Sequence, residues 1–258
     1  MTTAQWIVGV LVGFGAGILS GLFGVGGGVV TTPAVNVLLG GTAIQAVATP
    51  LPVIFPTSLV GAYTYLKAGE ASLRAARWAA GPGMAGSAAG AYLTEFVNAH
   101  VLLIATAALL AWTAVQVILG RQPARPWKLG ETPGWKYAAI GLVAGLVSGL
   151  LGVGGGIIMV PAFTVWLGMP LKRALGTSLV VIGALVIPAT LVHWWLGNID
   201  WAIFLALAIG VMPGARIGAR LALGAGERAL RITVGLFLIA IATLYAIREG
   251  VALWGGGG

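Results

Sequence analysis

The chain has no cysteine, only two histidines and only six acidic residues among 258. The missing cysteine excludes disulfides, thiolate metal sites and thiol nucleophiles, and two histidines leave too few ligands for a metal centre, so no metal or cofactor is assigned. There is no Walker loop with its lysine, no His-Glu pairing at metalloprotease spacing and no acidic pair inside an apolar segment. An enzyme reading therefore has no catalytic residue to carry it. Charge itself is scarce, at 8% of residues against roughly 25% in an ordinary soluble domain. Helices of such a chain have no polar faces with which to coat a water-soluble core.

What remains is apolar: 59% of residues are hydrophobic and the mean hydropathy is +1.01. Apolar runs follow one another with short charged interruptions, so the lipid bilayer is the solvent to reason with. The net charge of +8 and the pI near 10.5 do not indicate a nucleic-acid partner, because the basic residues sit in short clusters between apolar segments. That is the pattern of cytoplasmic loops facing anionic lipid. The N-terminus lacks a basic leader region, so the run from Trp6 is read as a retained first membrane segment. Gly255 to Gly258 support no function.

The chain repeats itself. Ser20-Gly-Leu-Phe-Gly-Val-Gly-Gly-Gly-Val-Val-Thr-Thr-Pro33 lies over Ser148-Gly-Leu-Leu-Gly-Val-Gly-Gly-Gly-Ile-Ile-Met-Val-Pro161, an offset of 128 residues with nine of fourteen positions identical. The same offset pairs Gly13 with Gly141, Gly17 with Gly145, Thr49 with Thr177, Leu51 with Leu179, Gly86 with Gly214 and Gly90 with Gly218. The reading is a first repeat at 1–120, a connecting loop at 121–133, a second repeat at 134–250 and a tail at 251–258. Each repeat divides into about five apolar segments: 5–22, 27–40, 44–66, 76–94 and 99–119, then 136–151, 155–169, 173–196, 200–223 and 228–248. The first two of each half read as short, about 14 to 18 residues, flanking the glycine break. They are either thin spans or a re-entrant hairpin.

In both cases each half crosses the membrane an odd number of times, so the fold class is an all-α polytopic membrane protein of two inverted-topology repeats. One set of alternate loops carries Lys67, Arg74 and Arg77, then Arg121, Arg125, Lys128 and Lys136, then Lys172 and Arg173, then Arg220, Arg228 and Arg231. The opposite set carries Glu95, His100 and Asp200. By the positive-inside rule both termini lie outside and the 120–136 connection lies in the cytoplasm.

Gly24-Val-Gly-Gly-Gly28 and Gly152-Val-Gly-Gly-Gly156 are the leading candidate site. Glycine permits positive φ and close backbone approach, and the helix N-termini that follow present unpaired N–H groups to an anion. Such glycines also serve tight helix packing, but their duplication, each copy followed by Pro33 or Pro161, favours a site. Gly26, Gly27, Gly28, Gly154, Gly155 and Gly156 are the expected substrate contacts. Thr49, Thr177 and Ser178 are expected to donate to the same anion, the alternative being bonds back to the preceding turn. Ser20 and Ser148 read as helix-packing hydroxyls. Arg216 is a candidate for attracting the anion and can equally snorkel with Arg220. His193, beside Trp194 and Trp195, reads as an interfacial residue, with proton coupling as its functional alternative. Gly86-x-x-x-Gly90 and Gly214-x-x-x-Gly218 have the spacing of close helix contacts.

Two copies of S-G-L-[FL]-G-V-G-G-G-x-x-x-x-P, each followed by an A/G-T-[PS]-L stretch, resemble the sulfite exporter TauE/SafE family, and the resemblance covers essentially the whole chain. It implies multi-pass export or uptake of small sulfur-containing oxyanions and organosulfonates across the cell membrane, the inner one where there are two. It also implies no nucleotide-hydrolysing domain. The first copy departs from the second in having Pro50 where the second has Ser178, so identical side-chain contacts from the two halves are not expected. Transport by rocking one repeat against the other is the expectation; a small-anion channel and a non-transporting membrane subunit or receptor are the competing classes.

Overall fold

In a computed structural model of the protein, residues 1–97 and 132–230 are described, with Trp127 and isolated helical positions at Ala108, Trp112 and Val115 and between 232 and 243. The expected fifth segments, the 121–133 connection and the 251–258 tail fall largely or wholly outside the described residues. Those residues form helices and no strand. The first half gives α1 (Thr3–Phe23), α2 (Gly28–Val37), α3 (Ala43–Ala48), α4 (Pro50–Lys67) and α5 (Leu73–Leu93). The second gives α6 (Gly134–Leu151), α7 (Gly156–Pro161) running into a wider π turn over Ala162–Trp166, α8 (Leu171–Trp195) and α9 (Trp201–Gly224).

Local chemistry sets these boundaries. Thr2 with Gln5 and Thr42 with Gln45 form capping boxes that start α1 and α3, each side chain satisfying the other residue's backbone N–H. Ser72 and Asp200 accept N–H groups from the first turns of α5 and α9. Gly24 and Gly152 end α1 and α6 in the left-handed region, where a residue with a Cβ is strained. Because the Thr2 box and Pro133 start them early, α1 has 21 residues and α6 has 18. The expected length of about 14 to 18 residues thus fits α6 but not α1, and the second segments are shorter still: α2 has 10 residues, and α7 with its π turn covers Gly156–Trp166.

Among the described residues five stretches are long and apolar enough to cross a bilayer: Thr3–Phe23, Ala43–Lys67, Gly134–Leu151, Leu171–Trp195 and Trp201–Gly224. Their outward faces carry exposed Leu11, Leu59, Ile209 and Trp195. A soluble protein would place polar side chains there, whereas lipid accepts these. The chain is a multi-pass membrane protein.

The main packing partners come from opposite halves. α1 lies along α9, α5 along α6, and α4 and α5 both pack on α8. The contacts are reciprocal under the repeat: Gly13 against Leu207 recurs as Gly141 against Ala79, Gly17 against Val211 as Gly145 against Gly83, and Gly21 against Ala215 as Gly149 against Ser87. Glycine at every fourth position clears one stripe of each helix, so backbones touch where side chains would otherwise separate them; a Cβ at any of these positions would overlap the facing backbone. Gly86 and Gly90 meet α6, and Gly214 and Gly218 meet α1, in the close contacts that their spacing predicts. Along the α1/α9 and α5/α6 seams the residue numbers advance together. Between the equivalent helices α4 and α8 they run in opposite senses, Ser58 facing Gly183, Gly61 facing Leu179 and Tyr65 facing Gly176.

Candidate functional site

This packing brings the two glycine breaks into direct contact. At the end of α1 the Gly24 N–H donates to the Ser20 carbonyl at 2.8 Å, and at the end of α6 the Gly152 N–H donates to the Ser148 carbonyl at 2.9 Å. The chain then turns through two further positive-φ glycines, Gly26 (φ 92°) and Gly27 (φ 82°) in one copy, Gly154 (φ 86°) and Gly155 (φ 73°) in the other. Gly27 and Gly155 cap the next helices, which begin at Gly28 and Gly156. The Gly28 Cα faces the Gly152 carbonyl and Val153, and the Gly156 Cα faces the Gly24 carbonyl and Val25. Ile54 and Ile182, equivalent positions on α4 and α8, both lie against Gly26 and Gly154. The six glycines assigned from sequence are therefore one buried crossing, with two helix starts entering it and apolar isoleucines walling it. The first amides of α2, at Gly28 and Val29, have no acceptor within their own helix, and with the dipole of that helix they favour negative charge.

The family model described as sulfite exporter TauE/SafE matches residues 9–245. The chain belongs to the sulfite exporter TauE/SafE family. It is 28% identical over 251 residues to a probable membrane transporter protein of Xylella fastidiosa, covering 95% of each chain. It is also similar to the probable membrane transporter protein YdhB of Bacillus subtilis, 26% identical over 215 residues and covering 82% of this chain and 88% of that one. A probable membrane transporter protein of Methanocaldococcus jannaschii is 26% identical over 260 residues, with 89% and 94% covered. No solved structure matches the chain at a significant level.

In this TauE/SafE chain the buried hydroxyl residues on the helices that form the crossing divide into engaged and unengaged groups. Thr49 Oγ1 accepts the Asp200 N–H at 3.1 Å, and Thr177 Oγ1 accepts the Ser72 N–H at 2.9 Å. Asp200 and Ser72 are equivalent positions, the caps of α9 and α5, so Thr49 anchors the start of α9 and Thr177 the start of α5, each in the opposite half. Both threonines keep their own proton for another acceptor. Ser178 Oγ lies 2.8 Å from the Gly24 carbonyl and 2.8 Å from the Leu175 carbonyl, sharing its proton between its own helix and the first break.

Ser20, Ser148 and Thr32 are different: all three are buried, and none of their hydroxyl oxygens has a partner among the described residues. A buried hydroxyl without a partner costs about 1–3 kcal/mol. Ser20 lies against Gly27, and Ser148 against Gly155. Sequence reasoning treated both as packing residues. Their signal was there: a hydroxyl at the same place in both copies, one turn before glycines that open the backbone.

Arg216 is not at the crossing. It is exposed and lines a groove between α4 and α9 with Lys67 and Arg220. His193 is fully buried near the end of α8. Its Nδ1 is 3.2 Å from the Asn198 amide nitrogen, which in turn donates to Glu95 at 3.2 Å, while its Nε2 has no partner among the described residues. The burial corrects the expectation of an interfacial anchor. Among the described residues no three His, Asp or Glu side chains gather as a metal site.

Proposed function

We propose that the chain is a secondary transporter of small sulfur-containing oxyanions or organosulfonates in the cell membrane. The substrate is bound where the two glycine breaks cross, and access alternates between the two sides. The observation that carries this reading is the crossing itself. Two helix starts and two unsatisfied serine hydroxyls, at matched positions in the repeat, converge in an apolar setting with no fixed counter-charge. A small anion with several acceptor oxygens meets those needs, taking N–H bonds from Gly26 to Gly28 and Gly154 to Gly156 and O–H bonds from Ser20 and Ser148. Thr49, Thr177 and Ser178 stand beside it, each with its oxygen already tied to the opposite half, and transmit its position to α5, α9 and α1.

The two halves enter the membrane in opposite orientations. Support comes from the opposed running of α4 and α8, since equivalent spanning helices that pack antiparallel require a pseudo-twofold axis in the membrane plane. Both termini then lie outside, with residues 121–133 in the cytoplasm. The glycine seams fasten α1 to α9 and α5 to α6, so the moving units are these mixed pairs rather than the two sequence halves. Protons drive the cycle through His193, linked by Asn198 to Glu95.

The deciding experiment is uptake of radiolabelled sulfite into proteoliposomes, with sulfate, thiosulfate and sulfoacetate as competitors and an imposed pH gradient as the variable. Saturable uptake competed by these anions and steepened by the gradient is expected. Flux that never saturates would make the protein a channel, and no flux above empty liposomes would remove the sulfur-anion assignment.

A further inference from the structure

The groove holding Arg216 is separate from the crossing and has a chemistry of its own. It encloses about 650 Å³ between α4 and α9 and is lined by Leu59, Val60, Tyr63, Thr64, Lys67, Ala68, Arg216 and Arg220. Arg216 and Arg220 are one turn apart on α9, and Lys67 closes the last turn of α4. No carboxylate lines the groove, and none of the three cations makes an ion pair or side-chain hydrogen bond among the described residues. Three uncompensated cations repel one another. Holding them around one cavity therefore favours an anion between them.

The repeat supplies an internal control. At the equivalent places 128 residues away, Lys67 corresponds to Trp195, Arg220 to Tyr92, Arg216 to Ala88, and Tyr63 to Leu191. One position in the fold therefore carries cations at one end of the molecule and exposed aromatics at the other. A site for the transported anion would have no reason to be charged at one end only. A site for the membrane surface would, because the cytoplasmic leaflet is anionic, whereas tryptophan and tyrosine suit either interface. The walls agree, since exposed Leu59 and half-buried Val60 continue the groove toward the apolar middle of α4, giving an acyl chain a surface directly below the cations.

We propose that this groove binds the phosphate headgroup of an anionic phospholipid of the cytoplasmic leaflet. Lys67, Arg216 and Arg220 hold the phosphate, Tyr63 donates a hydroxyl hydrogen bond to it, and an acyl chain lies along Leu59 and Val60, the Thr64 hydroxyl being committed to the Val60 carbonyl at 2.9 Å. Lipid in this groove bridges α4 of the first half to α9 of the second.

Native mass spectrometry of the full chain, delipidated in detergent and titrated with phosphatidylglycerol or phosphatidylcholine, tests this directly. Phosphatidylglycerol is expected to be retained about tenfold more tightly by the wild type, and the preference is expected to vanish in Lys67→Gln/Arg216→Gln/Arg220→Gln. It should survive in Arg216→Lys/Arg220→Lys, which keeps the charge and guards against a general folding effect. Equal retention of the two lipids by the wild type, or an unchanged preference in the neutral triple variant, overturns the proposal. So does displacement of phosphatidylglycerol by millimolar inorganic phosphate, which would make the ligand a free anion.

Discussion

The two halves share a backbone plan and differ in how they secure it. In the second half Ser178 continues a single 25-residue α8 and sends its hydroxyl to the Gly24 carbonyl across the crossing. In the first half Pro50 stands at that position. It has no N–H and no hydroxyl, the helix is divided at Thr49 into α3 and α4, and the Gly152 carbonyl gets no matching side-chain bond. The same contrast recurs a few turns on, where Tyr65 donates to the Gly21 carbonyl at 3.0 Å, while its equivalent, His193, pairs with Asn198 and lies beside the Gly149 carbonyl without closing a full hydrogen bond to it. The α1 terminus takes side-chain hydrogen bonds of 2.8 and 3.0 Å from Ser178 and Tyr65, whereas the α6 terminus has only the longer contacts of Thr94 Oγ1 with the Gly149 and Leu150 carbonyls, 3.5 Å each, among the described residues. The α6/α7 break is the looser of the two, and a transport cycle that opens one break before the other would begin there.

The largest effect is expected at the crossing, where the halves are most alike. Gly28→Ala and Gly156→Ala each drive a Cβ into the opposing chain, and each should abolish uptake, by more than about 95%, in liposomes with matched protein content. Retained uptake in one of them alone would mean that the breaks do not meet symmetrically. Next come Gly155→Ala and Gly27→Ala. A Cβ on Gly155 would lie 2.7 Å from the Ala144 carbonyl, whereas one on Gly27 finds its nearest atoms at 3.6 Å, so only the backbone strain of positive φ, about 1–2 kcal/mol, opposes the latter. Thermal unfolding in detergent should show Gly155→Ala destabilised well beyond Gly27→Ala; equal losses would remove the steric distinction.

A smaller effect is expected from Ser178→Ala, which deletes the bond to Gly24 and should lower stability by about 1 kcal/mol. Pro50→Ser should be close to neutral or slightly stabilising, since it restores a helix N–H and a hydroxyl facing Gly152. The reverse ranking in denaturant unfolding would sink the assignment of the asymmetry to this pair. The mildest change is His193→Tyr, which gives the second half the arrangement of the first. Folding should be retained, while uptake loses its dependence on pH between about 5 and 8, the interval in which histidine ordinarily titrates. An unchanged pH profile would release His193 from proton coupling.

Much of this plan was legible beforehand. The offset of 128 residues located both breaks, and eight apolar segments were placed within a few residues of their observed ends, because glycine and proline mark termini through sterics that act locally. The partners were harder to read. Nothing local says that α1 lies along α9 rather than α6, although Gly13, Gly17 and Gly21 announced a cleared stripe. The roles of Thr49 and Thr177 as anchors for Asp200 and Ser72 depend on helices more than 100 residues away in sequence. Ser20 and Ser148 were undervalued for a related reason: a helix hydroxyl usually has its own preceding turn to bond to, and only coordinates reveal that these two do not use it.

A single half, expressed alone, would expose the stripe of Gly13, Gly17 and Gly21 to lipid with no partner helix of its own to cover it. A second copy of the same half would supply one, by turning its fourth helix onto that stripe while offering its own stripe in return. The half is thus self-complementary: each copy offers the helix that covers the other's stripe, and the two copies now differ where the seams do not hold them alike, one carrying Pro50 and Tyr65, the other Ser178 and His193.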